Sequence, residues 1–228
     1  MAVYAFSDLH GQYDLWKQIK EFIKPEDTVY CLGDCADRGP DGWKIIKEVM
    51  DTPNIIYIRG NHEQFIIDED QWLWSYNGGT PTIADWEAAP EEEYKKVKEF
   101  LQETSLIENY VNEKGETITL CHAGFDPEII KYRNDEDLLW DRNHMGYEWP
   151  DAEWYFLKIV HGHTPIQYMK EFVRLEDPRP QPPQAYWYAD GHKCCIDQGS
   201  FMSGSALLLD LDTFEEHIFT AEVKKYEV

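Results

Sequence analysis

The sequence predicts an α/β fold whose first sheet is parallel and buried on both faces. Its first third repeats one pattern three times: a short apolar run, a polar loop containing glycine, and an amphipathic helix. The runs are continuously apolar rather than alternating, as strands covered on both sides are. Beyond residue 105 the pattern changes to closely spaced strand candidates, several alternating at period two, which adds a second strand-rich half.

Residues 2–6 form the first strand and end at Ser7-Asp8-Leu9-His10-Gly11. The following helix places Leu15, Ile19, Phe22 and Ile23 on one face and Lys17, Lys20, Glu21 and Lys24 on the other. Residues 28–32 form the second strand and end at Gly33-Asp34-Cys35-Ala36-Asp37-Arg38-Gly39. The next helix has Pro40 in its first turn, turns Trp43, Ile46, Val49 and Met50 inward, and stops before Pro53. Residues 54–58 form the third strand, ending at Arg59-Gly60-Asn61-His62-Glu63, after which Phe65 and Ile66 open another helix. Residues 68–105 read as helical with a break at Asn77-Gly78-Gly79-Thr80-Pro81. Further strands are expected at 106–111, 117–121, 157–161, 193–197, 205–211 and 216–220, separated by irregular stretches at 141–153 and 176–191. The second stretch holds Pro178, Pro180, Pro182 and Pro183 and reads as an extended loop. No boundary divides the chain, so one domain over 1–228 is expected.

Composition narrows the function. The chain is 43% hydrophobic and 29% charged, which excludes a disordered or low-complexity polymer. With 21 basic against 44 acidic residues, the net charge of −23 opposes sequence-independent binding of nucleic acid. An anionic substrate must then be met by local positive charge, from a few arginines or from bound metal. The five cysteines show no CxxC spacing, so reduced thiols in a cytoplasmic protein are expected. The first six residues lack the basic start of a secretory signal, and the longest apolar run, Ala206-Leu207-Leu208-Leu209, is too short to span a membrane. Nothing in the sequence addresses oligomeric state.

The strand-end loops carry the chemistry. Asp8 and His10 follow the first strand, Asp34 the second, and Asn61 with His62 the third; His122 and His163 follow later strands. Carboxylate, carboxamide and imidazole without thiolate suit Mn²⁺, Fe or Zn²⁺ in a reactive rather than a structural site. Strand ends of a parallel sheet are also where ligands bind in open α/β folds.

Five blocks carry a family resemblance: Ser7-Asp8-Leu9-His10-Gly11, Gly33-Asp34-x-x-Asp37-Arg38-Gly39, Arg59-Gly60-Asn61-His62-Glu63, His122-Ala123-Gly124 and Gly162-His163-Thr164. Their order resembles the calcineurin-like metallophosphoesterases, and more narrowly the compact bacterial and phage form of the PPP-type Ser/Thr protein phosphatases. The resemblance implies a β-sandwich of two mixed sheets flanked by helices on both sides. It implies two divalent cations, with Mn²⁺ expected and Fe or Zn²⁺ open: one held by Asp8, His10 and Asp34, the other by Asp34, Asn61, His122 and His163. Two such ions about 3.5–4 Å apart lower the pKa of a bridging water, whose hydroxide attacks phosphorus in line. His62 is then the acid for the leaving oxygen, oriented by Asp37, while Arg38 and Arg142, with Asn61, bind substrate. His161, two residues before His163, is expected to pack rather than ligate.

The resulting expectation is a phosphomonoester hydrolase acting on a phosphoprotein or a small phosphomonoester, with no nucleic-acid or membrane partner. Its rival is a symmetrical diadenosine tetraphosphate hydrolase. Those enzymes carry a non-acidic residue where this chain has Asp37, and Asp37 favours the monoester. A phosphodiesterase carries a further histidine where this chain has Pro165. A non-catalytic phosphoprotein-binding module is the remaining alternative, and it expects missing ligands that this chain retains.

Overall fold

A computed structural model describes residues 1–126, 134–146, 157–171 and 180–226. Ten strands and eight α-helices are present among them. The first half runs β1 (Val3–Phe6), α1 (Tyr13–Phe22), β2 (Thr28–Cys31), α2 (Gly42–Met50), β3 (Ile55–Tyr57) and α3 (Asn61–Asp68). The helices α4 (Gln71–Tyr76), α5 (Thr80–Ala88) and α6 (Glu91–Glu103) follow. The second half contributes β4 (Ile107–Val111), β5 (Thr117–Cys121), α7 (Asp135–Trp140), β6 (Leu157–His161), β7 (Tyr186–Tyr188), β8 (Lys193–Cys195), α8 (Ser200–Ser203), β9 (Ser205–Asp210) and β10 (Glu216–Thr220).

These strands build two five-stranded sheets in the orders β10-β9-β1-β2-β3 and β4-β5-β6-β8-β7. In the first, parallel β1–β2–β3 run to one edge and β9 and β10 continue antiparallel on the other side; in the second, parallel β5–β6–β8 form the centre between antiparallel β4 and β7. Side chains alternate along a strand. Val3, Ala5, Tyr30 and Leu32 therefore face Ile118, Leu120, Val160 and Ile196 in one buried layer between the sheets. Tyr4, Phe6, Val29 and Cys31 point the other way, into the helical layer with Trp16, Ile46 and Trp74. Cys194 and Cys195 show the same alternation: Cys194 lies between the sheets, whereas Cys195 packs outside with Met145 and Met169.

Four local expectations need correction. Trp16, rather than Phe22, is the fully buried aromatic of α1; Phe22 is 40% exposed and covers Tyr4 and Phe219 from the margin. β3 is not buried on both faces, because it lies at the sheet edge and leaves Ile56 37% exposed. β7 lies within the stretch read as an extended loop. Three residues form it, at a sheet edge where proline nearby is tolerated. The helical middle has two further breaks, at Glu69-Asp70 between α3 and α4 and at Ala89-Pro90 between α5 and α6. Residues 147–153 and 176–179 of the two irregular stretches lie outside the described residues.

Candidate active site

The two halves meet where their parallel strands end. Asp8 N donates to Gly33 O at 3.0 Å, and His10 N to Asp34 O at 2.9 Å, so the loops after β1 and β2 run side by side. From the other sheet, His163 N donates to both Asp8 carboxylate oxygens at 3.1 Å. Six of the expected site residues hold left-handed backbone: Asp8, His10, Asp34, Asp37, Arg38 and His163, with φ of 53°, 44°, 55°, 68°, 64° and 67°. Such geometry costs an L-residue about 1–3 kcal/mol and gathers where surrounding structure enforces it. Gly60 and Gly162 have a different task. A Cβ on Gly60 would strike Asp34 Oδ1, and one on Gly162 would strike Asp8 Oδ2.

Asp34 is the shared centre. Its Oδ1 accepts from His62 N at 3.1 Å and lies 3.4 Å from His122 Nε2. Its Oδ2 lies 3.6 Å from His10 Nε2 and 3.8 Å from His62 Nε2. Two groups of donor atoms result, His10–Asp34–His62 and Asp34–His122–His163, each compact enough for one cation. Asn61 joins the second group: its Oδ1 is 2.9 Å from His122 Nε2 and 2.9 Å from His163 Nδ1. The structure thus brings together Asp34, Asn61, His122 and His163, and sets His10 beside Asp34. Asp8 lies outside both compact groups and accepts from the His163 amide, while His62 Nε2 comes close enough to Asp34 to fall within the first.

The residues fit a pair of divalent cations. His10 Nδ1 is 2.9 Å from Ala36 O and His122 Nδ1 is 2.7 Å from Leu32 O. A carbonyl can only accept, so each Nδ1 carries a hydrogen and each Nε2 faces Asp34, the arrangement that orients metal-ligating imidazoles. Burial holds His10 and His163 well below the usual imidazole range, with Arg38 adding to the effect at His10 and His122 at His163. Burial, reinforced by Asp197, raises Asp8 well above the carboxylate range. Burial opposes charge on Asp34 and on His122, yet their mutual attraction wins: Asp34 falls well below its usual range and His122 rises to about 10. Buried acids that depend on a protonated histidine for balance are a donor set that a cation completes, releasing that proton.

Beside this centre, His62 Nδ1 donates to Asp37 Oδ2 at 2.6 Å. Trp74 Nε1 donates to both Asp37 oxygens at 2.9 and 3.0 Å, and Asp37 N donates to Thr82 Oγ1 at 2.9 Å. Arg38 Nη2 lies 3.2 Å from His62 Nε2, and its guanidinium sits 4.4 Å over the Phe201 ring. Arg142 approaches from the other half; its Nε donates to Thr164 Oγ1 at 3.1 Å, and burial lowers its pKa. His161 pairs with Tyr188 OH at 2.7 Å, burial takes it down to about 3, and it stands outside both donor groups.

Sequence reasoning assigns no site role to three residues that the structure places here, Glu63, Asp197 and Trp74. Glu63 is buried, and its carboxylate accepts from Asp34 N at 2.7 Å, Gly60 N at 3.1 Å, Cys35 N at 3.0 Å and Ala36 N at 3.2 Å. The available signal was an acid at the third position of the helix opened by Asn61, where a carboxylate can reach back to the preceding backbone N–H. Asp197, raised to about 6 by burial, is a further acid beside Asp8. Trp74 belongs to a dense set of aromatics, with Trp72, Tyr76 and Trp86 around Asn77-Gly78-Gly79, whose types suit a substrate groove but more often pack in a core. Trp74 is buried on Asp37, while Trp72 and Tyr76, 77% and 80% exposed, stack on each other.

A profile of the calcineurin-like phosphoesterases matches residues 1–195. The chain belongs to that family. A symmetrical bis(5'-nucleosyl)-tetraphosphatase of Nitrosococcus oceani is 32% identical over 186 residues, covering 77% of this chain and 62% of that protein. The chain spans about half the length of the curated relatives it matches, 46% and 62% of the first two. Among solved structures, one provisionally assigned as a diadenosine tetraphosphatase superposes with a TM-score of 0.67 at 14% identity, covering 96% of this chain and 93% of that one. A Saccharomyces cerevisiae Ser/Thr phosphatase similar to human phosphatase PP5 reaches 0.58 at 15% identity, covering all of this chain and 81% of its own. Those two likenesses share the fold. No described helix is long and apolar enough to cross a membrane.

Proposed function

We propose that this calcineurin-like phosphoesterase hydrolyses dinucleoside polyphosphates, cutting a phosphoanhydride at the Asp34-centred site. The observation that carries the reaction is the sharing of Asp34 between two buried donor groups beside Arg38 and His62. The substrate class is supported by the curated relatives, named as symmetrical tetraphosphatases. His10 and Asp34, with Asp8 beside them, and Asp34, Asn61, His122 and His163 would hold divalent cations, whose charge would polarise phosphate oxygens and lower the pKa of water.

The protein's own groups do the remainder. Arg38 and Arg142 bind phosphate oxygens, and the Phe201 ring holds the Arg38 guanidinium in place. Asp37 fixes His62 with hydrogen on Nδ1, so Nε2 faces the site beside Arg38. As water oxygen bonds to phosphorus, the opposite phosphorus–oxygen bond breaks and His62, when protonated at Nε2, gives that proton to the leaving oxygen. A symmetrical cut of a tetraphosphate yields two nucleoside diphosphates.

One observation favours the phosphomonoester reading instead. The 2.6 Å contact from His62 to an Asp37 anchored by Trp74 is what a basic alkoxide leaving group needs, and a phosphate leaving group needs it less. The deciding test compares kcat/KM on diadenosine tetraphosphate, a phosphothreonine peptide and p-nitrophenyl phosphate. The proposal expects the dinucleotide to rank first; a peptide ranking first reverses the assignment.

A further inference from the structure

A cavity of about 440 Å³ opens beside the donor groups, and Asn61 forms part of its wall. Phe65 and Trp140, with ring centroids 5.6 Å apart, and Leu73 and Leu139 give it apolar sides. Trp140 also packs edge-on against His163 at 6.0 Å, which ties this wall to the site. Among the described residues the charged lining is mainly acidic: Asp68, Asp135 and Glu136, against one arginine, Arg59. Arg59 Nη1 is committed to Leu101 O at 3.0 Å, while its buried Nε has no hydrogen-bond partner among the described residues.

We infer that this groove seats one nucleoside of the substrate, with the base against the aromatic wall and the ribose hydroxyls donating to the carboxylates. This inference rests on the dinucleoside polyphosphate reading and names how that substrate is recognised. The volume lies within the range of small-molecule sites, about 300–1,000 Å³. Three carboxylates against one guanidinium repel additional phosphate, so the occupant beyond the reacting phosphates is uncharged and rich in hydrogen-bond donors. Carboxylates serve ribose hydroxyls in this way in dinucleotide folds, and aromatic rings supply stacking to any base. Arg59 Nε offers one donor to an acceptor on the base.

The test fills the groove from its rim. Leu73, 40% exposed, is changed to Trp, and in a second variant Gln64, which also lines the cavity, is changed to Trp. Calorimetric titration of the metal-loaded protein with ADP and with pyrophosphate reads the nucleoside contribution apart from the phosphates. Wild type should bind ADP roughly tenfold more tightly than pyrophosphate, the lower end of what base stacking supplies. Either substitution should erase that gap while leaving pyrophosphate affinity and p-nitrophenyl phosphate turnover unchanged. Equal affinities in wild type, or a gap that survives both substitutions, overturn the inference. So does loss of activity on a lysine-flanked phosphopeptide with the ADP gap intact, which would mean that the acidic groove takes a cationic side chain. An ADP gap that closes on filling, in a protein that leaves diadenosine tetraphosphate uncut, upholds the nucleoside site and refutes the proposed reaction alone.

Discussion

Replacing Glu63 with Gln tests whether the loop that presents Asp34 is organised by one buried carboxylate. Glu63 Oε2 accepts from Asp34 N and Gly60 N, and Oε1 from Cys35 N and Ala36 N, over 2.7 to 3.2 Å. Glu63→Gln keeps the side-chain volume, so no cavity confuses the result, but the new NH₂ must face two of the four N–H donors. Each buried N–H left without an acceptor costs about 1–3 kcal/mol, so two cost about 2–6 kcal/mol. That is a large part of the ~5–15 kcal/mol that holds a domain folded. Urea denaturation followed by circular dichroism, in EDTA so that metal binding does not contribute, gives the difference directly. A loss under about 1 kcal/mol would show that the carboxylate does not organise the loop, since the low end of the unsatisfied-donor cost already exceeds it.

Asp34→Asn should reduce bound metal from two ions per chain toward none, because both donor groups share this carboxylate; elemental analysis of the purified variant checks it. His62→Asn should lower turnover on an alkyl phosphate by about 10²–10⁴-fold and on p-nitrophenyl phosphate by much less, and equal losses would remove His62 from the role of acid. Away from the site, Glu48 accepts from Tyr13 OH at 2.7 Å, Lys20 Nζ at 2.9 Å and Trp16 Nε1 at 3.0 Å. Burial opposes its ionisation, but these donors hold it at about 2 instead of 4.5. A depressed carboxyl stabilises the fold above its unfolded value and loses that contribution as pH falls toward the folded one. Glu48→Gln should therefore cost about 1 kcal/mol at pH 7, a figure kept small by partial exposure. The gap to wild type should close between pH 4.5 and 2, as chemical denaturation across that range would show.

The β-α repeats and the strand-end loops were legible because period and turn residues are local. Val3–Phe6, Thr28–Cys31 and the later strands therefore fall within one or two residues of expectation. β7 was not legible: three residues at an edge leave too short a pattern to separate from the prolines before it. The ligand types could be read from the blocks, but the distances between them could not. Those distances are set by contacts across the two halves, such as the His163 amide on both Asp8 oxygens, more than 150 residues away. Glu63 and Trp74 belong to the same class: each acts through backbone or side-chain groups that only the folded chain brings near. The substrate is the least local property. Asp37 argues from chemistry for a monoester, while the relatives argue for a dinucleotide.

The central proposal is that the site centred on Asp34, loaded with divalent metal, hydrolyses a dinucleoside polyphosphate. Incubating diadenosine tetraphosphate with metal-replete wild type, with EDTA-stripped wild type and with metal-replete Asp34→Asn, then separating the nucleotides by ion exchange, tests it most directly. The account predicts conversion to ADP by the first sample alone, restored to the second when metal is returned. Equal ADP formation by all three, or none by the metal-replete wild type while it cleaves p-nitrophenyl phosphate, would contradict it.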